Sequence, residues 1–385
     1  MRIVAVTAYP VPPRWLFVRV DTDEGIVGWG EASLEGHGRT VAAAVDEVTD
    51  ELLGTDPLRI EETWQLLSRA GFYRGGPVFA SVVSGIDQAL WDISGKAHGV
   101  PVHELLGGPV RERVRVYSWI GGDVPSQVAE EAARRREQGF GAVKMNGTAQ
   151  LAPIAAPAGA AEVVERVASV RDVLGPEGDI AVDFHGRVST PMARRLLSML
   201  EDLQPMFVEE PVLPEHGTNL AALVASTSIP LATGERLYSR HEFRHAFEAG
   251  VAVVQPDVAH AGGISELRRI AAVAEMYDVS VAPHCPLGPI ALAACLQVDF
   301  SVPNVLIQEQ SLGIHYNVGS DLLDYLVDPD ILRFEDGWLA RPTRPGLGVE
   351  IDGDAVAKAS ARLLESGVHW RTPVWHHADG SLAEW

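Results

Sequence analysis

Seven polar residues recur at a regular spacing in the middle of the chain and could carry acid–base or metal chemistry. They are Lys144, Asp183, Glu209, Glu235, Asp257, His284 and Glu309. From Asp183 onward the gaps are 26, 26, 22, 27 and 25 residues, and each residue lies at the C-terminal side of a short apolar run. If these runs are the parallel strands of a barrel, the seven side chains meet at the rim where barrel enzymes hold their chemistry.

Asp183, Glu209 and Glu235 would follow three consecutive strands, which makes them spatial neighbours. Three adjacent carboxylates repel one another unless a cation neutralises them. Oxygen ligands favour a hard ion, so the pattern predicts one Mg²⁺ per subunit; zinc would require a tetrahedral set with His or Cys. In the alternative interpretation, each carboxylate pairs with an arginine such as Arg236. Strand alternation turns the adjacent Glu210 to the other side, which favours Glu209 as the ligand.

Two histidines at strand ends are candidate acid–base groups. His185 lies two residues after Asp183, so on an extended strand both side chains would point the same way. His284 ends the seventh strand and Asp257 ends the sixth, and a neighbouring carboxylate makes an imidazole a better base. Facing each other across the barrel mouth, one histidine could remove a proton while the other delivers one. Alternatively, either histidine is a core residue that is hydrogen-bonded to the backbone.

The other polar residues near the strand ends allow more than one role. Lys144 could be a base or a charge anchor, or it could pair with a metal-binding carboxylate. Asn146 lies on the same strand face and cannot accept a proton as a base would. Glu309 could hydrogen-bond to charge that develops on a substrate oxygen, or it could be structural. Cys285 should point away from His284 and pack in the core.

The elements that must position these residues are eight short apolar runs that alternate with helical segments. Such alternation predicts parallel strands with right-handed crossovers, and eight units over about 200 residues predict a closed barrel. No Gly-x-Gly-x-x-Gly turn follows any run, which disfavours an open doubly wound sheet. The runs are Val114–Trp119, Ala142–Asn146, Ile180–His185, Met206–Glu210, Ile229–Glu235, Val251–Asp257, Val279–His284 and Val305–Glu309.

Two further regions flank the predicted barrel, which spans residues 113–315. Residues 1–112 contain three strand-like stretches followed by helical patterns, which predicts an α+β cap. Residues 316–385 form a less regular tail that should pack back onto the cap. The candidates for contacting a substrate are Arg14, Trp15, Tyr73 and Arg74 from the cap loops, with Lys144 and Asn146 from the barrel.

The composition narrows the class of protein. Of 385 residues, 46% are hydrophobic and 22% are charged, as in ordinary globular proteins. The formal net charge of −21 disfavours binding to nucleic acid or to anionic membranes. Two cysteines cannot form a disulfide framework or a zinc cluster. Because we find neither a signal peptide nor an apolar span of about 20 residues, we expect a cytoplasmic protein.

The motifs resemble those of the enolase superfamily, in its mandelate racemase-like branch, over nearly the whole chain. The matching segments are Lys144-Met-Asn146, Asp183-Phe-His185, Glu209-Glu-Pro, Gly234-Glu235, Gln255-Pro-Asp257, Pro283-His284 and Glu309. The longer stretches 71–76, 183–187, 282–295 and 308–316 are similar to acid-sugar dehydratases of this branch. The resemblance implies an α/β fold in which an N-terminal capping domain covers a modified (β/α)7β TIM-type barrel.

The resemblance also implies a role for each site residue. Mg²⁺ would be held by Asp183, Glu209 and Glu235. The base would be His284, made more basic by Asp257, the acid would be His185, and an enediolate would be stabilised by Glu309.

The activity implied by the resemblance is the dehydration of an acid sugar, with an aldonate as the small-molecule partner. Members that racemise or cycloisomerise carry Lys-x-Lys where this chain has Lys144 and Asn146. Elimination is therefore favoured over epimerisation, while the identity of the aldonate, gluconate included, stays open. A homo-oligomer, either a dimer or an octamer, is expected by analogy.

Overall fold

The N-terminal cap is a three-stranded antiparallel sheet, in the order β1-β2-β3, with helices α1 and α3 packed on it and α2 packed on α3. A computed structural model describes residues 1–385. The cap elements are β1 Ile3–Val11, β2 Trp15–Thr22, β3 Val27–Glu31, α1 Gly38–Leu52, α2 Ile60–Arg69 and α3 Pro77–His98. Their apolar faces form a core of their own, as expected for an α+β unit.

Helix α3 approaches strand β3 with almost no side chain between the two backbones. A Cβ atom at Gly28 would lie 2.1 Å from the carbonyl oxygen of Ala89, and one at Gly30 would lie 1.9 Å from that of Gly85. Only glycine permits this approach. The two glycines of β3 therefore determine how close α3 lies to the sheet.

The barrel follows a short linker that contains α4 Val102–Leu105 and β4 Arg113–Arg115. Seven parallel strands form one sheet, from β5 to β11 in chain order. The barrel elements are β5 Ser118–Ile120, α5 Pro125–Glu137, β6 Ala142–Asn146, α6 Pro157–Leu174, β7 Asp179–Asp183, α7 Thr190–Leu200, β8 Phe207–Glu209, α8 Leu220–Val224, β9 Leu231–Thr233, α9 Arg240–Ala249, β10 Val253–Val254, α10 Gly263–Met276, β11 Ser280–Val281 and α11 Pro289–Asp299. Short 3-10 helices lie at Glu201–Leu203, Pro214–Asn219 and Pro329–Leu332.

The eighth predicted run, residues 305–309, connects the two edges of this sheet. The N–H of Leu306 donates to the carbonyl of Val281 at 2.8 Å, and the N–H of Tyr117 donates to the carbonyl of Gln308 at 3.2 Å. This run therefore bonds to the last strand on one side and to the first on the other. The predicted α/β class and barrel architecture are confirmed.

The strands differ from the predicted runs at two places. The run Val114–Trp119 is divided, because Arg113–Arg115 pairs antiparallel with β12 Trp338–Ala340, and only Ser118–Ile120 joins the barrel sheet. Of the three residues of β4, only Val114 is buried, so only one face of this strand packs against the protein. The last strands are also shorter than predicted, since the chain turns after Thr233, Val254 and Val281. Glu235, Asp257 and His284 lie just beyond those ends.

The C-terminal region contacts the cap and ends in a short hairpin. Helix α12 Gly353–Ser366 packs against β1, and the ring of Tyr325 meets that of Phe17 edge-on with centroids 5.4 Å apart. The hairpin consists of β13 Trp375–His376 and β14 Leu382–Ala383. No helix in the molecule has both the length and the apolar character needed to cross a membrane.

Two buried carboxylates of the cap bind the first turns of barrel helices. Asp87 of α3 accepts bonds from the N–H and Oγ of Ser265 at 3.0 and 2.5 Å, at the start of α10. Glu31 of β3 accepts bonds from the N–H groups of Gly288 and Ala291 at 2.9 and 3.0 Å, at the start of α11. Free N–H groups at a helix start need such acceptors, and the macrodipole favours negative charge there.

We predict that Asp87→Ala lowers the free energy of unfolding by about 1–3 kcal/mol, because it leaves the buried donors of Ser265 without an acceptor. Chemical denaturation of the two proteins measures the difference. Glu47→Ala is the control, since Glu47 is an exposed acidic residue of α1 whose loss should change stability by less than about 0.5 kcal/mol. Equal stabilities of the two variants would contradict the anchoring role.

Candidate active site

Three carboxylates converge at the carboxyl ends of β7, β8 and β9. Asp183 ends β7 and Glu209 ends β8, and the two residues are register partners in neighbouring strands. Glu235 follows β9 after Gly234. Ligand atoms of Asp183, Glu235 and His185 all lie within 4.8 Å of one another. The structure thus brings the predicted acidic residues together, with His185 beside them.

The acidic cluster has the properties of a cation site. Asp183 Oδ2 and Glu209 Oε2 are buried and form no hydrogen bond, although His185 Nε2 lies 3.1 Å from Asp183 Oδ2. Burial and the charge of Asp183 raise the pKa of Glu209 to about 8, so the cluster retains a proton unless another positive charge replaces it. Carboxylate oxygens that lack partners in a buried site fit a hard divalent ion such as Mg²⁺. The side chains that could hold it are those of Asp183, Glu209 and Glu235.

Lys144 of β6 partly neutralises these acids. Its Nζ lies 2.7 Å from Glu209 Oε1, 3.1 Å from Glu309 Oε1 and 3.6 Å from Asp183 Oδ2. Burial opposes its charge, but the surrounding carboxylates outweigh burial and raise the pKa of Lys144 well above its usual value. Of the roles left open by the sequence, these contacts favour a charge anchor paired with the acidic cluster over a base.

His284 and Asp257 form a hydrogen-bonded pair. The Nδ1 of His284 lies 2.7 Å from Asp257 Oδ2, while Asp257 Oδ1 accepts the N–H of Ala259 at 2.6 Å. The other ring nitrogen, Nε2, lies 3.1 Å from Glu235 Oε2. Burial opposes the imidazolium, but Glu309, Glu235 and Asp257 together raise the pKa of His284 well above its usual value. The neutral form of such an imidazole is a strong base.

His185 reaches the cluster by a different backbone path from the predicted one. The two side chains do lie together, but the residue has φ +49°, so the extended backbone assumed from strand alternation is wrong. Instead the N–H of His185 donates to Asp183 Oδ1 at 2.7 Å, and this turn brings Nε2 to 3.1 Å from Asp183 Oδ2. Nδ1 is buried without a partner. Burial lowers the pKa of His185, which makes its protonated form a stronger acid.

Glu309 lies between the base and the lysine. One carboxylate oxygen, Oε2, accepts the N–H of Cys285 at 2.8 Å and is 4.0 Å from His284 Nε2. The other oxygen contacts Lys144. The Cys285 side chain is fully buried, which agrees with the predicted packing role.

Arg236 does not form ion pairs with all three predicted metal-binding carboxylates. Its guanidinium binds the Glu210 carboxylate, with Nε 2.9 Å from Oε1, and lies 3.8 Å from Glu235. Glu210 and Glu209 thus have different partners, but strand alternation is not the reason, because Glu210 lies beyond β8 with φ +41°. The alternative in which each ligand carboxylate pairs with its own arginine is therefore not supported.

Part of this site lines one cavity of about 410 Å³, while Asp183, Glu209 and Asp257 lie behind its wall. The predicted site residues that line it are Lys144, Asn146, His185, Glu235, His284 and Glu309. Further lining residues that the sequence analysis missed include Trp119, Arg166, Arg187, His315, Tyr316 and Trp375. Of these residues, Arg187 could have been found from the sequence, because it ends the stretch 183–187 that resembles the dehydratases. Arg166, within α6, and Trp375, near the end of the chain, lie outside the matching stretches.

The four cap residues expected to contact substrate lie in different places. Arg14 is mostly buried, donates from Nη2 to the carbonyl of Pro286 at 2.6 Å and stacks over the ring of Tyr316, so it borders the cavity through its partners. Trp15 is buried against Phe17 and Tyr325.

The structure does not bring the loop that carries Tyr73 and Arg74 to the cavity. Tyr73 is 91% exposed, and Arg74 lines a separate space with Trp64 and Tyr238. A glycine-rich loop has no amphipathic pattern that could have shown which side it faces.

Comparison with known proteins places this geometry in a family. "Mandelate racemase / muconate lactonizing enzyme, N-terminal domain" matches residues 7–107, and "Enolase C-terminal domain-like" matches residues 127–355. Among curated relatives, D-galactonate dehydratase of Variovorax paradoxus is 54% identical to this chain and that of Xanthomonas oryzae is 53% identical. In both alignments 100% of each chain is covered.

Solved structures show the same similarity. An enolase from Agrobacterium radiobacter, crystallised with bound sodium and L-malate, is 33% identical, covers 100% of both chains and has a TM-score of 0.91. A member of the enolase superfamily from Salmonella Typhimurium is 30% identical with a TM-score of 0.84, over 93% of this chain and 98% of the other.

We predict that Mg²⁺ raises the melting temperature of this protein, because a ligand bound only by the folded state stabilises it by about 2.7 kcal/mol at 100 times its Kd. Glu209→Gln should lose most of the rise, since it removes one ligand carboxylate. Glu210→Gln is a matched control that makes the same chemical change at the adjacent residue and should keep the rise. Equal Mg²⁺-induced shifts in both variants, measured by differential scanning calorimetry, would exclude Glu209 as a ligand.

Proposed function

Because the chain belongs to the mandelate racemase/muconate lactonizing enzyme family of the enolase superfamily, we propose that it is an acid-sugar dehydratase whose substrate is D-galactonate. The products are 2-dehydro-3-deoxy-D-galactonate and water. The full-length similarity to curated D-galactonate dehydratases supports the substrate. The observation that carries the reaction type is the placement of two histidines, His284 and His185, at one carboxylate cluster in one cavity.

Removal of the C2 proton is the difficult step. This proton is weakly acidic because its loss places a second negative charge next to the substrate carboxylate. A Mg²⁺ ion held by Asp183, Glu209 and Glu235 would supply positive charge that offsets this build-up. Lys144 adds a fixed positive charge at the same end of the cavity, and Glu309, whose Oε1 lies 3.1 Å from Lys144 Nζ, helps to hold that charge where the enediolate develops.

His284 takes the C2 proton on Nε2. Its Nδ1–H donates to Asp257, which orients the ring and stabilises the imidazolium that forms. The resulting enediolate then expels the C3 hydroxyl group. Hydroxide is a poor leaving group, so it departs as water after accepting a proton from His185. The enol that remains tautomerises to the 2-keto-3-deoxy acid.

Epimerisation at C2 is the alternative reaction for the same fold. It requires a second base, on the opposite face of C2, that returns a proton to carbon. Asn146 stands two residues after Lys144 on β6 and cannot take that role. The contacts of Lys144 with Glu209 and Glu309 engage the remaining candidate on that strand. These features favour elimination.

We expect purified protein with Mg²⁺ to convert D-galactonate to a 2-keto-3-deoxy acid, detected as a semicarbazone. EDTA should abolish turnover and added Mg²⁺ should restore it. A panel of C6 aldonates, gluconate included, tests the substrate, and a higher kcat/KM for another aldonate would replace D-galactonate in the proposal. Deuterium at C2 of recovered substrate together with inverted configuration and no loss of hydroxyl would identify an epimerase instead.

Isotope exchange should distinguish the roles of His284 and His185. His284→Asn should reduce dehydration by about 10²–10⁴-fold, the range typical of a general base, and should abolish exchange of the C2 proton with D₂O. His185→Asn should slow dehydration by a similar factor but leave C2 exchange measurable, because its proton is needed only when the hydroxyl leaves. ¹H NMR of substrate in D₂O follows both processes, and loss of exchange in His185→Asn would reverse the assignment.

A further inference from the structure

The last 17 residues form a segment that we call the C-terminal strap, residues 369–385. It contains Trp370, Trp375 and Trp385, three of the nine tryptophans in the chain. None of its residues is buried. Large apolar side chains are usually found in a core, so the strap tryptophans require another explanation.

The strap lies across the mouth of the barrel. Trp370, Trp375 and Trp385 line the same cavity as His185 and His284. They therefore form a wall of the active site although they come from the far end of the chain.

Contacts with both the cap and the barrel hold the strap in place. On the barrel side, Gln150 Nε2 donates to the carbonyl of His376 at 2.6 Å. On the cap side, Thr372 packs so closely on Gly36 that a Cβ there would lie 2.7 Å from Thr372 Oγ1. Gly36 also has φ +78°, which favours glycine.

Trp375 packs against a guanidinium group that has no carboxylate partner. Arg187 Cζ lies 4.8 Å from the centroid of the Trp375 ring, and Nη1 donates to the carbonyl of Thr148 at 3.0 Å. Its Nε is buried without any partner. Arg187 lines the cavity and has no carboxylate partner, so its guanidinium is available to a ligand that accepts a hydrogen bond.

Other groups around the same cavity are also unsatisfied. Asn146 Oδ1 can accept a hydrogen bond, whereas Trp119 Nε1 and Arg166 Nε can donate one, and all three atoms are buried without partners. A mixture of donors and acceptors suits hydroxyl groups, which do both. An indole face suits the C–H groups of the same carbon chain.

We propose that Trp375 and Arg187 form a subsite for the hydroxyl groups at the end of the acid sugar remote from its carboxylate. This inference rests on the proposed function, since it names how that site recognises the polyol chain. Arg187 donates to the hydroxyl groups, and Trp375 holds its guanidinium in position while covering the C–H face of the chain. The subsite distinguishes long acid sugars from short ones.

The test compares Trp375→Leu with Trp338→Leu. Trp338 of β12 packs with Arg113, whose Cζ is 4.3 Å from its ring, so it provides the same kind of pair away from the cavity. Trp375→Leu should raise KM for D-galactonate about tenfold or more, as expected for loss of the cation–π contact that positions Arg187 and of ring packing on the substrate, with kcat changed less than about threefold. Trp375→Phe should restore most of the affinity, and Trp338→Leu should behave as wild type.

Calorimetric measurement of binding tests the subsite independently of catalytic turnover. D-galactonate should bind Trp375→Leu about tenfold more weakly than wild type, while D-glycerate, which lacks the distal carbons, should bind both equally. If the wild-type protein binds D-galactonate but does not dehydrate it, the proposed function is wrong, while the comparison of binding to the two proteins still tests the subsite. Equal binding of D-galactonate to both proteins, equal weakening for D-glycerate, or a changed oligomeric mass of Trp375→Leu by light scattering would each overturn the subsite.

Discussion

Buried negative charge at the mouth of the barrel is the constraint on which the rest of the site depends. Asp183, Glu209 and Glu235 meet there because parallel strands end at one rim, and the Lys144 ammonium is close enough to neutralise only part of their charge. Carboxylates this close and this buried cannot all be ionised without further positive charge. The same field favours the protonated form of His284. Cation binding and proton transfer are therefore governed by one set of charges.

The cap does more than cover the active site. Glu31 and Asp87 bind the first turns of α11 and α10, and these helices follow the strands after which His284 and Asp257 are placed. The cap is thus bonded directly to the two barrel segments that carry the base and its orienting carboxylate. At the opposite end of the chain, the C-terminal strap adds the tryptophan wall. The cavity is complete only when all three regions are folded together.

Much of the candidate site could be predicted because strand ends in a barrel are equivalent positions. Asp183 and Glu209 end strands, as the spacing predicted, and Lys144 lies within β6, two residues before its end. The His284–Asp257 pair followed from their adjacent places in the barrel order. His185 reaches the cluster for a reason the spacing did not contain, since it adopts a left-handed backbone conformation stabilised by Asp183. The division of the first predicted strand also depends on a partner, β12, more than 200 residues away.

The sequence by itself determined the order of strands and helices and the types of residue at each strand end. Hydrophobic periodicity and side-chain chemistry are local properties, so these could be read without coordinates. Only the tertiary structure decided that Tyr73 and Arg74 lie away from the cavity, that Glu31 and Asp87 bind barrel helices, and that Trp375 packs on Arg187. Each of these contacts joins segments far apart in the chain, and no local pattern encodes which distant segments meet.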